Sequence, residues 1–340
     1  MKVLITGATG FLGSHLTRRM VRDGHNVRVL ARPTSDLSCL EGLPVTHVIG
    51  DVTDPERVRL AVRDRDWVVH AAADLSCEEE NHERQALVNV EGTRQLARAC
   101  RAEAVNRLLH VSSVAAVGIS PDPQLPANEE FPFNLHNSGL NYHVSKWRAE
   151  KAVLGEVERG LDACIVNPAT ICGPARRGYR TLSVVERIRS HWVIPYSPGG
   201  LCAVHVADVV EGILLALQFG RTGERYILGG ENVSFRQIGE IVSRQMLISR
   251  FLVPVPATVA EWVGKARNWL RTIFGLGSIL VYNQQFCNQF YDSTKAGLDL
   301  GYQTRPFVAI VEEIFSYPYL SRNGTKTKRC ADRKELFAAK

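Results

Sequence analysis

The sequence predicts an α/β fold: a doubly wound parallel sheet joined to a smaller, mostly helical lobe. Three observations carry that reading. A glycine-rich turn, Gly7-Ala8-Thr9-Gly10-Phe11-Leu12-Gly13, lies between an apolar run and an amphipathic one near the start of the sequence. Strand-like and helix-like segments then alternate through the first half, the pattern of a parallel sheet with helices on both faces. From Thr170 onward the alternation becomes irregular.

Lys2–Thr6 is apolar with β-branched residues, which marks a buried strand. Leu16, Met20 and Val21 share one face of the helix after the turn. Gly7 permits a sharp exit from the strand, Gly10 lets the backbone approach a phosphate, and Gly13 lets the helix pack closely on the sheet. The N–H groups and positive dipole end of that helix then face an anion. The spacing is G-x-x-G-x-x-G, not the usual G-x-G-x-x-G, and its place between strand and helix gives it weight. Gly7, Thr9, Gly10, Phe11, Leu12 and Gly13 are therefore the expected pyrophosphate cradle of a Rossmann-type dinucleotide site.

Asn26–Ala31 is the second strand, preceded by Gly24 in the left-handed position that ends a helix. Dinucleotide folds hold the ribose hydroxyls with an acid at this strand's end. Here Arg32 follows Ala31, and a guanidinium suits a 2′-phosphate, so NADP(H) is expected in preference to NAD(H). Val45–Ile49 is the third strand, with Asp51 and Val52 after it placed to cap the adenine. Asp54 and Pro55 open a helix as N-cap and first-turn residue. Residues 67–73 are the fourth strand; its small residues Ala71, Ala72 and Ala73 let ribose and pyrophosphate lie against backbone, and His70 is read as packed. A long helix spans 82–102 and carries Asn89. Arg107–Val111 is the fifth strand and ends in Ser112-Ser113. Ligands of such sheets sit beyond the carboxyl ends of the strands, which brings these segments to one crevice.

Residues 121–141 read as a loop over that crevice. A helix then runs from Tyr142 to about residue 159 and sets Tyr142 and Lys146 one turn apart on one face. An ammonium beside a phenol favours the phenolate, and a phenol so tuned exchanges a proton with a substrate hydroxyl near neutral pH. Lys146 also reaches the nicotinamide ribose, and Ser113 holds the substrate oxygen. Ser113, Tyr142 and Lys146 are the expected catalytic residues, with Tyr142 and Lys146 also touching cofactor.

Together, Thr6 to Gly13, Asn89 with Gly92-Thr93, Ser112-Ser113 with Gly118, Tyr142-x-x-x-Lys146, Asn167-Pro168 and His205-Val206-Ala207-Asp208 resemble the extended short-chain dehydrogenases/reductases, the NAD(P)-dependent epimerase/dehydratase group. The likeness spans about residues 1–316. It is nearest to hopanoid-associated sugar epimerases and dihydroflavonol-reductase-like members, through Val29 to Asp36 and through Gly229-Gly230-Glu231-Asn232. It implies Ser113, Tyr142 and Lys146 as a catalytic triad, Asn167 and Pro168 near the nicotinamide, Asp51 near the adenine and Asn89 at the cofactor.

The expected activity is hydride transfer at a secondary alcohol or ketone, of a nucleotide sugar or lipid-linked sugar. The alternative is an NADPH-dependent ketone or aldehyde reductase of dihydroflavonol-reductase or 3β-hydroxysteroid-dehydrogenase type. A non-catalytic nicotinamide-nucleotide sensor is the reading from another class; retention of Ser113, Tyr142 and Lys146 argues against it.

Composition excludes other classes. The chain has 340 residues and a net charge of +6, which invites a nucleic-acid reading. Yet residues 321–340 hold seven Lys or Arg against Asp332 and Glu335, so the body is close to neutral and no nucleic-acid partner is expected. That basic tail is expected to be disordered. Eight scattered cysteines lack zinc-ligand spacing, so no metal is expected, and reduced thiols without a leader segment suit a cytoplasmic protein. The expected domains are residues 1–168 plus about 202–230 for the dinucleotide, and about 169–201 plus 231–316 for the substrate lobe. Arg176, Arg177 and Arg180 read either as a diphosphate grip or as an exposed basic loop. Residues 256–282 alternate Trp and apolar residues with Lys and Arg; packing on the lobe is favoured over contact with a membrane surface. Pairing of helices 82–102 and 142–159 into a homodimer stays open.

Overall fold

The computed structural model describes residues 1–75, 82–174, 188, 190–256, 259 and 288–316. Its centre is a seven-stranded sheet made of β1 (Lys2–Thr6), β2 (Asn26–Ala31), β3 (Val45–Ile49), β4 (Trp67–His70), β5 (Arg107–Val111), β6 (Ala163–Pro168) and, later in the chain, β10 (Arg225–Leu228). The spatial order is β10-β6-β5-β4-β1-β2-β3, and every neighbouring pair is parallel. The order reverses between β1 and β4, where a doubly wound sheet opens a crevice.

Alternation along each strand sorts the core into two layers. Val3, Ile5, Val69 and Leu109 face Leu16 and Met20 of α1 (Phe11–Arg22) and Val209 and Ile213 of α6 (Val206–Phe219). Leu4, Val68, Leu108 and Ile165 face α2 (Pro55–Val62), α4 (Gly92–Ala102) and α5 (Asn141–Val157) through Val58, Val62, Leu96, Cys100 and Val153. Burial on both faces explains why the strands read as continuous apolar runs. Asp54 caps α2 by accepting from the Glu56 and Arg57 N–H groups, with Pro55 in the first turn, as the sequence indicates.

The 82–102 segment is helical but not one regular helix. α3 (His82–Gln85) passes into a π-helical turn at Ala86–Glu91 before α4. Apolar spacing does not reveal such a turn, because the flanking periodicity survives it.

After β6 the chain adds several short strands, of which residues 202–206 already read as one in the sequence. β9 (Gly200–His205) pairs with β7 (Thr170–Cys172), β11 (Glu231–Ser234) and β13 (Asn288–Gln289), while β8 (Val193–Tyr196) pairs with β12 (Phe251–Pro254). These strands are two to six residues long, too short for a clear alternation. α7 (Phe235–Gln245) and α9 (Phe307–Ser316) cover this part through Ile238, Val242, Ile310 and Ile314; α8 (Thr294–Leu300) packs beside α6 and β10. Residues 176, 177 and 180, most of 256–282 and the 321–340 tail lie outside the described residues. Among the described residues no helix is long and apolar enough to cross a membrane, and no His/Cys/Asp/Glu cluster could hold a metal.

Candidate active site

Loops after β1, β2, β3, β4, β5 and β6 converge on one cavity of about 560 Å³. At its floor the loops after β1 and β4 touch. Gly7 has φ of +71°, and a Cβ on it would stand 2.6 Å from the Ala71 carbonyl carbon. Gly13 is tighter still, since its Cβ would stand 2.1 Å from Gly7 O. Both glycines are thus required by close backbone approach, which the sequence spacing alone suggests. Gly10 precedes α1, no side chain caps that helix, and its first turn holds no acid. The positive end of α1 is therefore left to the cavity, and a pyrophosphate fits the cradle of Gly7, Thr9, Gly10, Phe11, Leu12 and Gly13 that lines it.

Arg32 and Ser35 after β2, with Asp51 and Val52 after β3, line the same cavity. Asp51 Oδ1 accepts from both the N–H and the hydroxyl of Thr53 at 3.0 Å, which fixes the carboxylate. Ala71, Ala72, Ala73 and Pro168 form further wall, and Ser113, Tyr142 and Lys146 complete it. Ser113 Oγ is steadied by the Ala115 N–H at 3.2 Å.

Tyr142 and Lys146 lie one turn apart on α5. Lys146 is only 3% exposed, and its Nζ donates to Val111 O at 3.1 Å. Burial pushes this ammonium down to about 8, against the pull of the Glu150 charge.

Behind the wall runs a chain of buried hydrogen bonds. Thr93 Oγ1 donates to Asn89 O at 2.6 Å, so it accepts from His70 Nε2 at 2.9 Å. His70 Nδ1 then accepts from the Thr6 hydroxyl at 2.7 Å, and Thr6 Oγ1 accepts from Ala72 N–H. Burial holds His70 neutral, with its pKa down to about 3, as that pattern requires. Asn89 accepts from Asp74 N–H at 2.7 Å and donates to Ser145 Oγ at 3.0 Å, while Ser145 donates to Tyr142 O. The end of β1 is thus tied to the first turn of α5 through side chains and the Asn89 carbonyl.

Two residues expected at the cofactor are not at the cavity surface. Asn89, in the π-helical turn, is 1% exposed and faces inward to brace Asp74 and Ser145. Asn167 is fully buried; its Nδ2 donates to Ser113 O at 2.9 Å and to Glu150 Oε1 at 2.6 Å. Both hold other residues in place. The 121–141 loop also differs from expectation, for none of its residues lines this cavity. It is pinned to the β10 edge, where Glu129 Oε1 accepts from Ile227 N–H at 2.7 Å and Arg225 donates to Glu129 O.

Sequence reasoning missed Asp74 and Arg84, an ion pair of 2.9 Å at the cavity, and the apolar Leu75, Val88 and Ile171 beside them. No motif marks these positions. Ser145 stood within the Tyr-Lys helix, and its position one turn after Tyr142 was the available signal.

Residues 3–229 match the model of the NAD dependent epimerase/dehydratase family. Sterol demethylase protein B of Methylococcus capsulatus is 37% identical over 244 residues, covering 70% of this chain and 72% of that protein. A putative dihydroflavonol 4-reductase of Synechocystis is 32% identical over 310 residues, covering 87% and 88%. In three dimensions the crystal structure of a nucleoside-diphosphate-sugar epimerase from Pseudomonas aeruginosa is similar over 95% of this chain and 98% of that one, with a TM-score of 0.78 at 23% identity. That last likeness is one of fold. The glycine cradle at the sheet's switch point, the Tyr142–Lys146 pair in the same cavity and the match over two thirds of the chain lead to one conclusion: the protein belongs to the NAD dependent epimerase/dehydratase family, as an NAD(P)-dependent oxidoreductase of the extended short-chain dehydrogenase/reductase group.

Proposed function

We propose that this chain oxidises or reduces a secondary alcohol or ketone on a polycyclic, largely apolar molecule, with NADP(H) as its preferred coenzyme. The observation that carries the reading is the convergence of the Gly7–Gly13 cradle, Arg32, Ser113, Tyr142 and Lys146 on a single cavity. The bound coenzyme supplies or accepts hydride. The cradle and the α1 dipole hold the pyrophosphate; Arg32, with Ser35 beside it, holds a 2′-phosphate; Asp51 and Val52 lie at the adenine; Ala71, Ala72, Ala73 and Pro168 bound the rest of the coenzyme. Ser113 orients the substrate oxygen, and Tyr142 gives or takes its proton. Lys146 keeps the phenolate accessible by its charge and hydrogen-bonds the ribose.

Two observations support the substrate class. The apolar side chains Leu75, Val88 and Ile171 line the cavity along with the catalytic residues. Two of the relatives above 30% identity carry names that refer to a sterol and a flavonoid. A second reading, epimerisation of a nucleotide sugar, is favoured by the family's own description and by the likeness to a sugar-nucleotide epimerase. NADPH absorbance separates them. Loss of the signal with a panel of keto-steroids, and none with UDP-glucose, supports the first. Conversion of UDP-glucose without net change in absorbance supports the second and refutes the first.

A further inference from the structure

Beneath the proposed proton-transfer pair lies a carboxylate that the mechanism above does not use. Tyr142, Lys146 and Glu150 follow one another at four-residue intervals on α5 and share one face. Glu150 is 3% exposed. Its Oε1 accepts from Asn167 Nδ2 at 2.6 Å, and its Oε2 lies 3.4 Å from the guanidinium of Arg225 on β10. Asn167 spends its other amide hydrogen on Ser113 O. One carboxylate therefore reaches the backbone of Ser113 through a single side chain, while sharing a helix face with Tyr142 and Lys146.

A buried carboxylate is costly, so its retention calls for a reason. We propose that Glu150 is a positioning residue of the proton-transfer pair: its negative charge keeps Lys146 a cation, and its bond to Asn167 sets the Ser113 turn against α5. This rests on the roles given above to Tyr142 and Lys146.

The surroundings of Lys146 favour the charge role. Tyr142 and Glu150 share its helix face, and the Glu150 charge acts on it; from β4 and β5, His70 and His110 feel the charge of Lys146 in turn. Burial holds both histidines neutral, with their charge repelled further by the ammonium. Glu150 is the negative charge that opposes the desolvation of Lys146. Around Glu150, burial weighs most and raises its pKa above the ordinary carboxylate value, while Ser112, Arg225 and Asn167 favour the carboxylate and hold that rise back. Arg225 is itself fixed to Glu129 O of the pinned loop.

The alternative is a simple brace, and Glu150→Gln separates the two. Glutamine keeps the size and an oxygen for Asn167 but loses the charge. The readout needs no substrate: ultraviolet difference titration of the full chain against its Tyr142→Phe counterpart, in the presence of NADP⁺, isolates the ionisation of Tyr142. In E150Q that ionisation is expected about one pH unit higher, a tenfold loss of phenolate at a given pH below the transition. Glu150→Asp, which keeps the charge, is expected to stay close to the parent. If E150Q does not fold, Arg225→Gln replaces it. Removing that guanidinium favours the neutral acid, so the Tyr142 transition is again expected to rise. An unmoved transition in the folded variant overturns the proposal for Glu150 alone. A parent chain whose Tyr142 titrates like an ordinary tyrosine overturns the Tyr142–Lys146 reading itself.

Discussion

Replacing Lys146 by Met is expected to stabilise the fold while abolishing turnover. The folded chain holds this ammonium in a fully buried place, with its pKa lowered from 10.5 to about 8. Below pH 8 the lysine is protonated in both folded and unfolded chains, and burying the charge costs the fold about 3 kcal/mol. As pH rises from 8 to 10.5 the folded chain releases its proton first, so the unfolded state binds more protons and stability rises. Above 10.5 the cost is gone. Methionine fills much the same volume without the charge. It forfeits the bond to Val111 O, about 1 kcal/mol, which leaves a net gain of about 2 kcal/mol at neutral pH and a rise in melting midpoint of roughly 3 °C. The assay is thermal unfolding of parent and variant from pH 7 to 10.5, read as a difference so that shared titrations cancel. The gain should shrink over that range, pass through zero and end as a loss of up to about 1 kcal/mol, the worth of the Val111 O bond. A variant less stable than the parent at pH 7, or a gain that does not change with pH, would refute the argument that a charged lysine is held there against its preference.

Other expectations follow from single contacts. Gly13→Ala places a methyl group 2.1 Å from Gly7 O; isothermal titration should find NADP(H) affinity lowered at least tenfold, and unaltered affinity would contradict so close an approach of the two backbones. Tyr142→Phe should reduce turnover by about 10²- to 10⁴-fold with little effect on coenzyme binding, checked by steady-state rates beside a coenzyme titration. Arg32→Ala should weaken NADPH by about 10- to 100-fold, the worth of a charge-assisted bond, and leave NADH nearly unchanged; equal losses for both would remove the case for a 2′-phosphate site. His110 is buried, and both of its ring nitrogens lack a hydrogen-bond partner. Its pKa is held well below 6.5 by burial, so the unfolded chain takes up the extra proton as pH falls through 6.5. His110→Leu should therefore gain about 2 kcal/mol more at pH 5 than at pH 8, measured by urea unfolding.

Much of the fold was legible because its signals are local. The Gly7 turn, the Asp54-Pro55 helix start and the strands from Lys2 to Val111 are each set by residues adjacent in sequence, and each is found where expected, save that the fourth strand ends at His70 rather than running on to Ala73. Lys146 and Tyr142 were legible for the same reason, being one helical turn apart. What escaped depends on pairs far apart in the chain. Asn89 and Asn167 look like cofactor contacts by position, but their partners Ser145 and Glu150 come from α5 and draw them behind the wall. The 121–141 loop has a composition that suits a lid, yet Glu129 is captured by Ile227 nearly a hundred residues later. The π-helical turn changes only the phase between two helical stretches, which no residue type announces.

Hydride and proton transfer here both depend on where a nicotinamide coenzyme lies relative to Tyr142. A crystal structure of the chain with NADP⁺ tests this most directly. The pyrophosphate should rest on the N-terminus of α1 between Gly7 and Gly13, the 2′-phosphate against Arg32, and the nicotinamide beside Tyr142 and Lys146 with Pro168 across from them. A coenzyme seated in that cradle with the Tyr142 hydroxyl turned away from the ring, or a coenzyme bound elsewhere on the molecule, would contradict it.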